Sequence, residues 1–250
     1  MKKLIQLLFL CILISACTKH SITPAIYSAR QGVEVYSGEE VAARLTRRYN
    51  DTVTNCGSSV RPAFLCSGIL FRGSGPALDF KPWDPSPTAI RVGGTSFSFV
   101  RRDYKMVRFA MYYTKGYVLY PVLDRPAGKF HEQILCFFPV DGNSDNRTDN
   151  GCGQLSSYLP SRYCSTLGIT TGVQWAANYN GNPNNGNGSN VCSFDVRSAS
   201  ATPSANNFNE GMIGGRAISP AAFNKPNDVK IKTWTPGIGQ TLPIEAFFYT

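Results

Sequence analysis

FLCSGILFRGS, residues 64–74, predicts the central strand of the fold. Its run of apolar and small residues is typical of a buried strand, and the run leads directly into Arg72, Gly73 and Ser74. An arginine at the end of a strand can hold a phosphate with both arms of its guanidinium, and Gly73 and Gly75 permit close approach of a ligand. Alternatively, Arg72 is a solvated charge, which is the commoner role of an arginine at a strand end. The segment therefore predicts a strand that ends in a candidate anion site.

The first residues form an export signal. Lys2 and Lys3 precede an apolar run at residues 4–14, which is too short to span a membrane convincingly. Residues 14–17, ISAC, resemble the bacterial lipobox, in which the cysteine is acylated and becomes the first residue of the mature chain. We therefore expect lipid on Cys17. The exported protein would be anchored to the bacterial envelope, at the outer membrane if the cell has two membranes, or secreted.

These signals divide the chain into three parts. Residues 1–16 are the expected lipoprotein signal peptide, and residues 17–32 form a polar, lipidated tether. Residues 33–250 remain for a single globular domain, which is long enough to bury one sizeable core.

The cysteines predict disulfide bonds. Of the eight, Cys11 leaves with the signal peptide and Cys17 carries lipid, so six remain in an oxidising compartment. Six cysteines can pair in many ways, and the short spacings favour three bonds: Cys56–Cys66, Cys136–Cys152 and Cys164–Cys192. Zinc is disfavoured because the chain has no CxxC pair and only two histidines, His20 and His131.

The charge is basic but scattered. The formal net charge is +9, and removal of Lys2 and Lys3 leaves +7 on the mature chain. The longest basic runs are pairs such as Arg47-Arg48, so the sequence lacks the clustered patch that is typical of nucleic-acid binding. We expect no nucleic-acid partner and no metal or prosthetic group.

Two capping boxes predict helices. Ser37 with Glu40 precedes a helix over residues 38–49, and Thr171 with Gln174 begins one that runs to about Tyr179. Short helices are expected over two further segments, residues 204–212 and 220–224.

Strands fill much of the remaining chain. Alternation of Ser96 and Ser98 with phenylalanines predicts a second strand, and four prolines between residues 76 and 87 predict an irregular connection before it. Later strands are predicted over five segments: residues 107–113 and 117–122, joined by a hairpin at 114–116, and residues 134–138, 229–234 and 244–249. The expected fold is α+β, with mixed sheets, a few peripheral helices and disulfide staples.

A polar loop follows the strand at 134–138. Asp141, Asn143, Asp145 and Asp149 resemble a calcium loop loosely, without the glycine and terminal glutamate of an EF-hand. A stapled surface loop is the favoured interpretation.

Three polar residue types recur at strand positions in a suggestive order. Arg72 follows the first strand, Ser96 and Ser98 lie on the second, and Glu245 lies inside the last, IEAFFY. This order resembles the arginine–serine–glutamate class of ADP-ribosyltransferases and NAD-hydrolysing toxins. Cleavage of the nicotinamide–ribose bond passes through an oxocarbenium-like state, which a carboxylate near the ribose 2-hydroxyl stabilises. In that class the arginine holds phosphate and the serine orients the glutamate and the ribose.

A longer likeness points to one family. The segments YSGEEVAARLTRRYNDT, CGSSVRPAFLCSGILFRG, PWDPSP, GCG and LPIEAFFYT resemble the halovibrin family of secreted bacterial NAD glycohydrolases, from about Tyr36 to Thr250. The resemblance implies an ADP-ribosyltransferase-like catalytic domain and hydrolysis of NAD as substrate. Two features depart from it. Toxins that modify arginine carry glutamate or glutamine two residues before the catalytic glutamate, where this chain has Pro243, and halovibrins are soluble, whereas this chain has a lipobox.

Other residues compete for these roles. Serines on an alternating strand and a glutamate in an edge strand commonly face water. The rival carboxylates Glu132 and Glu210 lie in a polar turn and a predicted helix, and are disfavoured. Trp83 or Tyr113 would stack on a nicotinamide or adenine ring, although a core position is the commoner role for such residues.

The sequence leaves two functions open. The first is an exported NAD glycohydrolase, for which transfer of ADP-ribose to a protein target and inhibition by an immunity protein are both left open. The second is a non-catalytic, disulfide-stapled envelope lipoprotein that acts as a binding module, which the lipobox and the long Asn/Gly-rich loop at residues 178–190 favour.

Overall fold

The computed structural model describes ten segments of the chain: residues 37–52, 67–74, 87–103, 113–119, 133–142, 147–153, 163–181, 191–197, 226–232 and 244–249. Within them the chain forms three α-helices and seven β-strands. The helices are α1 (Gly38–Asn50), α2 (Pro87–Val92) and α3 (Gly172–Asn180). The strands are β1 (Ile69–Ser74), β2 (Thr95–Val100), β3 (Lys115–Leu119), β4 (Gln133–Phe138), β5 (Phe194–Asp195), β6 (Asp228–Lys232) and β7 (Ile244–Tyr249).

Several predicted features lie outside the described residues. They are the signal peptide and tether with Cys17, the Cys56–Cys66 bond, Trp83, residues 107–112, and the helices at 204–212 and 220–224.

The strands form one sheet in the order β5–β4–β6–β2–β1–β3–β7. Every neighbouring pair is antiparallel. The α+β class is therefore confirmed for the described residues, but their sheet is antiparallel and not mixed.

Alternation along β2 separates the two faces of the sheet. Phe97 and Phe99 are buried in the main core, together with Phe137 of β4 and Trp175 of α3. Because successive side chains of a strand point to opposite faces, Ser96 and Ser98 lie on the other face, which we call the serine face. The predicted alternation is confirmed.

Helix α1 packs on the β1–β3–β7 side of the sheet. Its predicted capping box is present: Glu40 N donates to Ser37 Oγ at 3.2 Å, and Ser37 N donates to Glu40 Oε2 at 2.7 Å. Leu45 and Tyr49 pack against a small buried cluster around Phe71. The helix is thus fixed both at its N-terminus and along one face.

A buried ion pair joins α1 to β7. Arg48 donates to Glu245 Oε2 at 2.8 Å, and Arg44 Nε lies 3.6 Å from Oε1, an ion-pair distance too long for a hydrogen bond. Only 1% of the Glu245 side chain is exposed. Burial of a carboxylate requires such partners, so this glutamate holds the helix on the sheet.

Two local predictions are wrong. Pro87 was expected in an irregular connection but begins α2, because a first-turn residue needs no amide hydrogen and the fixed φ of proline suits a helix. Lys115 and Gly116 were expected in a hairpin turn but already belong to β3, where they pair with Tyr249 and Phe248.

Two predicted disulfides are present, Cys136–Cys152 and Cys164–Cys192. The second capping box is confirmed as well, since Gln174 N donates to Thr171 Oγ1 at 3.2 Å at the start of α3. None of the helices described is long and apolar enough to cross a membrane.

Replacing Glu245 with glutamine should destabilise the fold. The change leaves Arg48 without its carboxylate in a largely buried position, and breaking such a pair costs about 3 kcal/mol. Urea unfolding followed by circular dichroism measures the loss. Glu39→Gln, an exposed change in the first turn of α1, is the matched control and should alter the free energy of unfolding by less than about 0.5 kcal/mol. Equal stability of Glu245→Gln and the parent would contradict a structural role.

Candidate active site

Strand β2 changes its pairing partner along its length. Its first half pairs with β6 (Thr95–Phe97 with Val229–Ile231), and its second half pairs with β1 (Ser98–Val100 with Ile69–Phe71). Beyond Phe71 and Ser98, the described residues show no further pairing between β1 and β2. The two half-sheets therefore diverge at Ser98, and we call this divergence the fork.

Arg72 lies at the fork. It was expected at the end of its strand, but β1 continues to Ser74 because it pairs with β3 there. Arg72 Nη1 donates a hydrogen bond to the Ser96 carbonyl on β2 at 3.3 Å. The guanidinium thus lies where the two half-sheets part.

Ser96 contacts a buried lysine. Lys230 is its cross-strand neighbour on β6, and Lys230 Nζ donates to Ser96 Oγ at 2.6 Å. The lysine is only 2% exposed. A buried ammonium requires polar partners, and the serine hydroxyl is one of them.

Ser98 contacts both Tyr113 and the residue that precedes β6. Ser98 Oγ lies 3.1 Å from the Tyr113 hydroxyl and donates to the Asn227 carbonyl at 3.0 Å. Tyr113 also packs over Gly73, where an added Cβ would lie 2.4 Å from the ring. The space at Gly73, expected for a ligand, is therefore occupied by Tyr113, and the stacking role proposed for Trp83 lies outside the described residues.

Asn227 fixes the start of β6 against β2. Its side-chain amide donates to the Phe99 carbonyl at 2.8 Å and accepts from the Phe99 amide at 2.8 Å. The Asn227 side chain makes the same pair of hydrogen bonds with Phe99 that the backbone of a neighbouring strand would make. It therefore extends the pairing between β6 and β2 past the fork.

Asp228 follows directly and lies beside Ser98. It alternates with Val229, so it shares the serine face with Lys230. The residue is 3% exposed, and neither carboxylate oxygen has a hydrogen-bond partner among the described residues. A buried carboxylate without donors is unfavourable, and such groups concentrate at functional sites.

Glu245 does not join this group. β1 and β3 lie between its strand and β2, so at a strand spacing of about 4.8 Å it is roughly 14 Å from the serines. Its carboxylate is already paired with Arg48 and Arg44. The expectation that Glu245 meets Arg72 and the serines is therefore not met, and Asp228 is the carboxylate that lies beside Ser98.

A strained turn adjoins the fork. Asp149 and Asn150 have φ of 51° and 55°, in the left-handed region that side chains rarely adopt. Arg147 anchors the same loop: it is buried, and it donates to three backbone carbonyls, those of Gly142, Gly153 and Val191. Burial lowers its pKa to about 10, while the charge of Asp228 opposes that shift.

Asp149, one of the carboxylates in the predicted calcium loop, is already paired with an arginine. Both oxygens of Asp149 accept hydrogen bonds from Arg197, at 2.8 and 2.7 Å, and Tyr163 also donates to it. These bonds hold the pKa of Asp149 at about 2, with the arginine as the main cause. In the part of the chain that the structure describes, no group of three metal-ligating side chains gathers.

The sequence reasoning missed Asn227, Asp228 and Lys230. One local signal was present, since Asp228, Lys230 and Lys232 alternate with valine and isoleucine in DVKIK. An alternating strand with charges on one face usually faces water, so the pattern did not indicate a buried site. Only the pairing with β2 brings these residues to the serines.

Comparisons of the chain with protein-family models, with curated proteins and with solved structures find no match.

Stability should fall as the pH rises through the alkaline range. Burial raises the pKa of both Tyr113 and Tyr117 to about 12, above the value of about 10 for an unfolded tyrosine. The unfolded chain therefore loses these protons first, and the stabilisation present below pH 10 disappears by about pH 12, at about 2 kcal/mol per residue. Urea unfolding from pH 9 to pH 12 measures this loss, and Tyr113→Phe should make it smaller. An unchanged pH profile in that variant would contradict the burial of the phenol.

Proposed function

We propose that the chain is an exported NAD glycohydrolase whose site is the fork. One observation carries the proposal: Ser96, Ser98 and the buried Asp228, whose carboxylate accepts no hydrogen bond from any described residue, share one face of the sheet, and Arg72 reaches the Ser96 carbonyl from the opposite face. The arginine and the serines are those that the halovibrin resemblance implies, but the acid is an aspartate in place of a glutamate, on a different strand from the one that the sequence predicted.

Arg72 would bind the diphosphate of NAD. A guanidinium offers two parallel donors to phosphate oxygens, and Arg72 makes a long bond of 3.3 Å to a carbonyl that a stronger acceptor can replace.

Asp228 would stabilise the ribosyl cation. The bond between ribose C1 and the nicotinamide nitrogen breaks, its electron pair leaves with neutral nicotinamide, and positive charge develops on the ribose ring. A carboxylate in a site with little water stabilises such a charge strongly, because few dipoles screen it. Ser98 would orient the ribose beside it.

Water completes the reaction. A water molecule adds to C1 and releases a proton, which gives ADP-ribose, nicotinamide and a proton. Transfer to arginine side chains is less favoured, because Pro226 stands two residues before Asp228, as Pro243 does before Glu245. Neither proline supplies the second acid or amide of arginine-modifying toxins.

The two disulfides support export. Both are fully buried, and disulfides persist in oxidising compartments outside the cytoplasm. The lipid on Cys17 would keep the enzyme at the envelope.

Asp228→Asn should remove activity without loss of stability. Loss of one electrostatic stabiliser lowers turnover by about 10² to 10³. The melting temperature should change little, because the carboxylate accepts no hydrogen bond from any described residue, although the amide gives up its attraction to the Arg147 guanidinium. Nicotinamide release, read with a fluorogenic NAD analogue, measures turnover, and Asp51→Asn at the C-terminus of α1 is the matched control. Full activity in folded Asp228→Asn protein would exclude this assignment.

If the folded wild-type protein releases no nicotinamide but binds NAD, the binding-module function holds instead.

Arg72→Lys should weaken binding of NAD more than it slows turnover. Lysine keeps the charge but lacks the two-pronged geometry, so KM should rise about tenfold, equivalent to about 1.4 kcal/mol. Initial rates over a range of NAD concentrations separate KM from kcat. Arg91→Lys, an exposed change in the last turn of α2, should leave both constants unchanged. An unchanged KM in Arg72→Lys would count against phosphate binding at this position.

A further inference from the structure

A row of three side chains connects a disulfide to Ser96. Cys136 of β4 is the cross-strand neighbour of Lys230, and Lys230 is in turn the cross-strand neighbour of Ser96. Cross-strand neighbours project on the same face of a sheet, so all three lie on the serine face. The lysine donates its hydrogen bond to Ser96 from the middle of this row.

The residue before the second cysteine lies against the same lysine. Cys152 follows Gly151, whose φ is +87°, and a Cβ at Gly151 would lie 2.8 Å from Lys230 Cε. The backbone of this turn therefore contacts the end of the lysine side chain directly. Cys136 thus lies beside Lys230, and Gly151 lies against the end of the lysine side chain. We call the Cys136–Cys152 disulfide, with these two contacts, the clamp.

The turn is held in an unfavourable conformation. Asp149, Asn150 and Gly151 all have positive φ, and only the last is a glycine. The turn also packs closely against the glycines that follow α2, since a Cβ at Gly94 would lie 2.3 Å from the Asn150 carbonyl oxygen. Strained residues persist only where the surroundings fix them, and the adjacent disulfide is one such restraint.

We propose that Lys230 is a positioning residue for Ser96, and that the Cys136–Cys152 disulfide holds it in place. The inference rests on the proposed function and adds a redox requirement to it: the fork is assembled in the oxidised chain and disordered in the reduced one. Both sulfurs are fully buried, so the bond is out of reach of reductants in the folded protein. The compartment in which the chain folds thus sets its activity, and a copy that folds in a reducing cytoplasm has a poorly ordered site.

The test compares two variants that each lack one disulfide. Cys136→Ala with Cys152→Ala removes the clamp. Cys164→Ala with Cys192→Ala is the matched control, because it removes another buried disulfide that lies outside the row. This second disulfide is close to the first, since Ser193 Oγ donates to the Cys152 carbonyl. The control therefore reports whether loss of any nearby disulfide loosens the structure around Lys230. Lys230→Met is a third variant, which keeps both disulfides and removes the ammonium that donates to Ser96.

The first measurement does not depend on activity. A water-soluble N-hydroxysuccinimide ester of acetic acid labels exposed lysines, and peptide mass spectrometry reads the rate at Lys230. We expect slow labelling of Lys230 in the wild type and the control. Without the clamp we expect labelling at least about tenfold faster, because a buried lysine reacts only when the structure around it opens locally. Equally slow labelling of Lys230 in the wild type, the control and the variant without the clamp would overturn the proposal that the disulfide holds the lysine in place.

The second measurement is NAD hydrolysis by each protein. Misplacement of an orienting group lowers turnover by about 10-fold to 100-fold, so kcat should fall in Lys230→Met and in the clamp variant while KM changes little. The control should keep its kcat. Equal loss of kcat in both disulfide variants, or full kcat in Lys230→Met, would overturn the proposal. Absence of hydrolysis by the wild type would refute the proposed function instead, and the labelling result would still report on the clamp.

Discussion

The site depends on the hydrogen bonds between the Asn227 side chain and the backbone of Phe99. Strand β2 loses β6 as a regular partner near Ser98, where it gains β1. The amide of Asn227 bridges this change, because it supplies the donor and the acceptor that the Phe99 backbone requires. A buried backbone group left unpaired would be unfavourable, so these two bonds fix the register in which β6 begins. That register places Asp228 beside Ser98 and Lys230 beside Ser96.

Two unfavourable features lie at the fork. Asp228 is buried and accepts no hydrogen bond from the residues that the structure describes, and the adjoining turn has two non-glycine residues at positive φ. Each feature is unfavourable alone, and the main core on the opposite face shows the reverse, with close aromatic packing such as Phe137 against Phe194. A fold that accepts unfavourable groups in one place has generally done so for a ligand.

Two carboxylates of similar sequence context have opposite roles in this arrangement. Glu245 and Asp228 both lie in strands with alternating or apolar neighbours. Arg48 and Arg44 neutralise Glu245 and use it to hold α1 on the sheet. Asp228 lies close enough to the buried Arg147 for their charges to interact, but its oxygens accept no hydrogen bond from any described residue. The difference lies in the partners that the fold supplies, since the two side chains share one chemistry.

The sequence by itself determined the features that neighbouring residues control. The capping boxes at Ser37 and Thr171, the alternation of Ser96 and Ser98 with phenylalanine, and the α+β class depend on contacts within a few residues. The Cys136–Cys152 and Cys164–Cys192 pairings also follow from short spacing in the chain. Only the tertiary structure decided strand order, and with it which carboxylate meets the serines. Asn227 and Phe99 are 128 residues apart, and Arg48 and Glu245 are 197 apart. Pairing at such separations is set by the packing of the whole sheet, which local periodicity does not record.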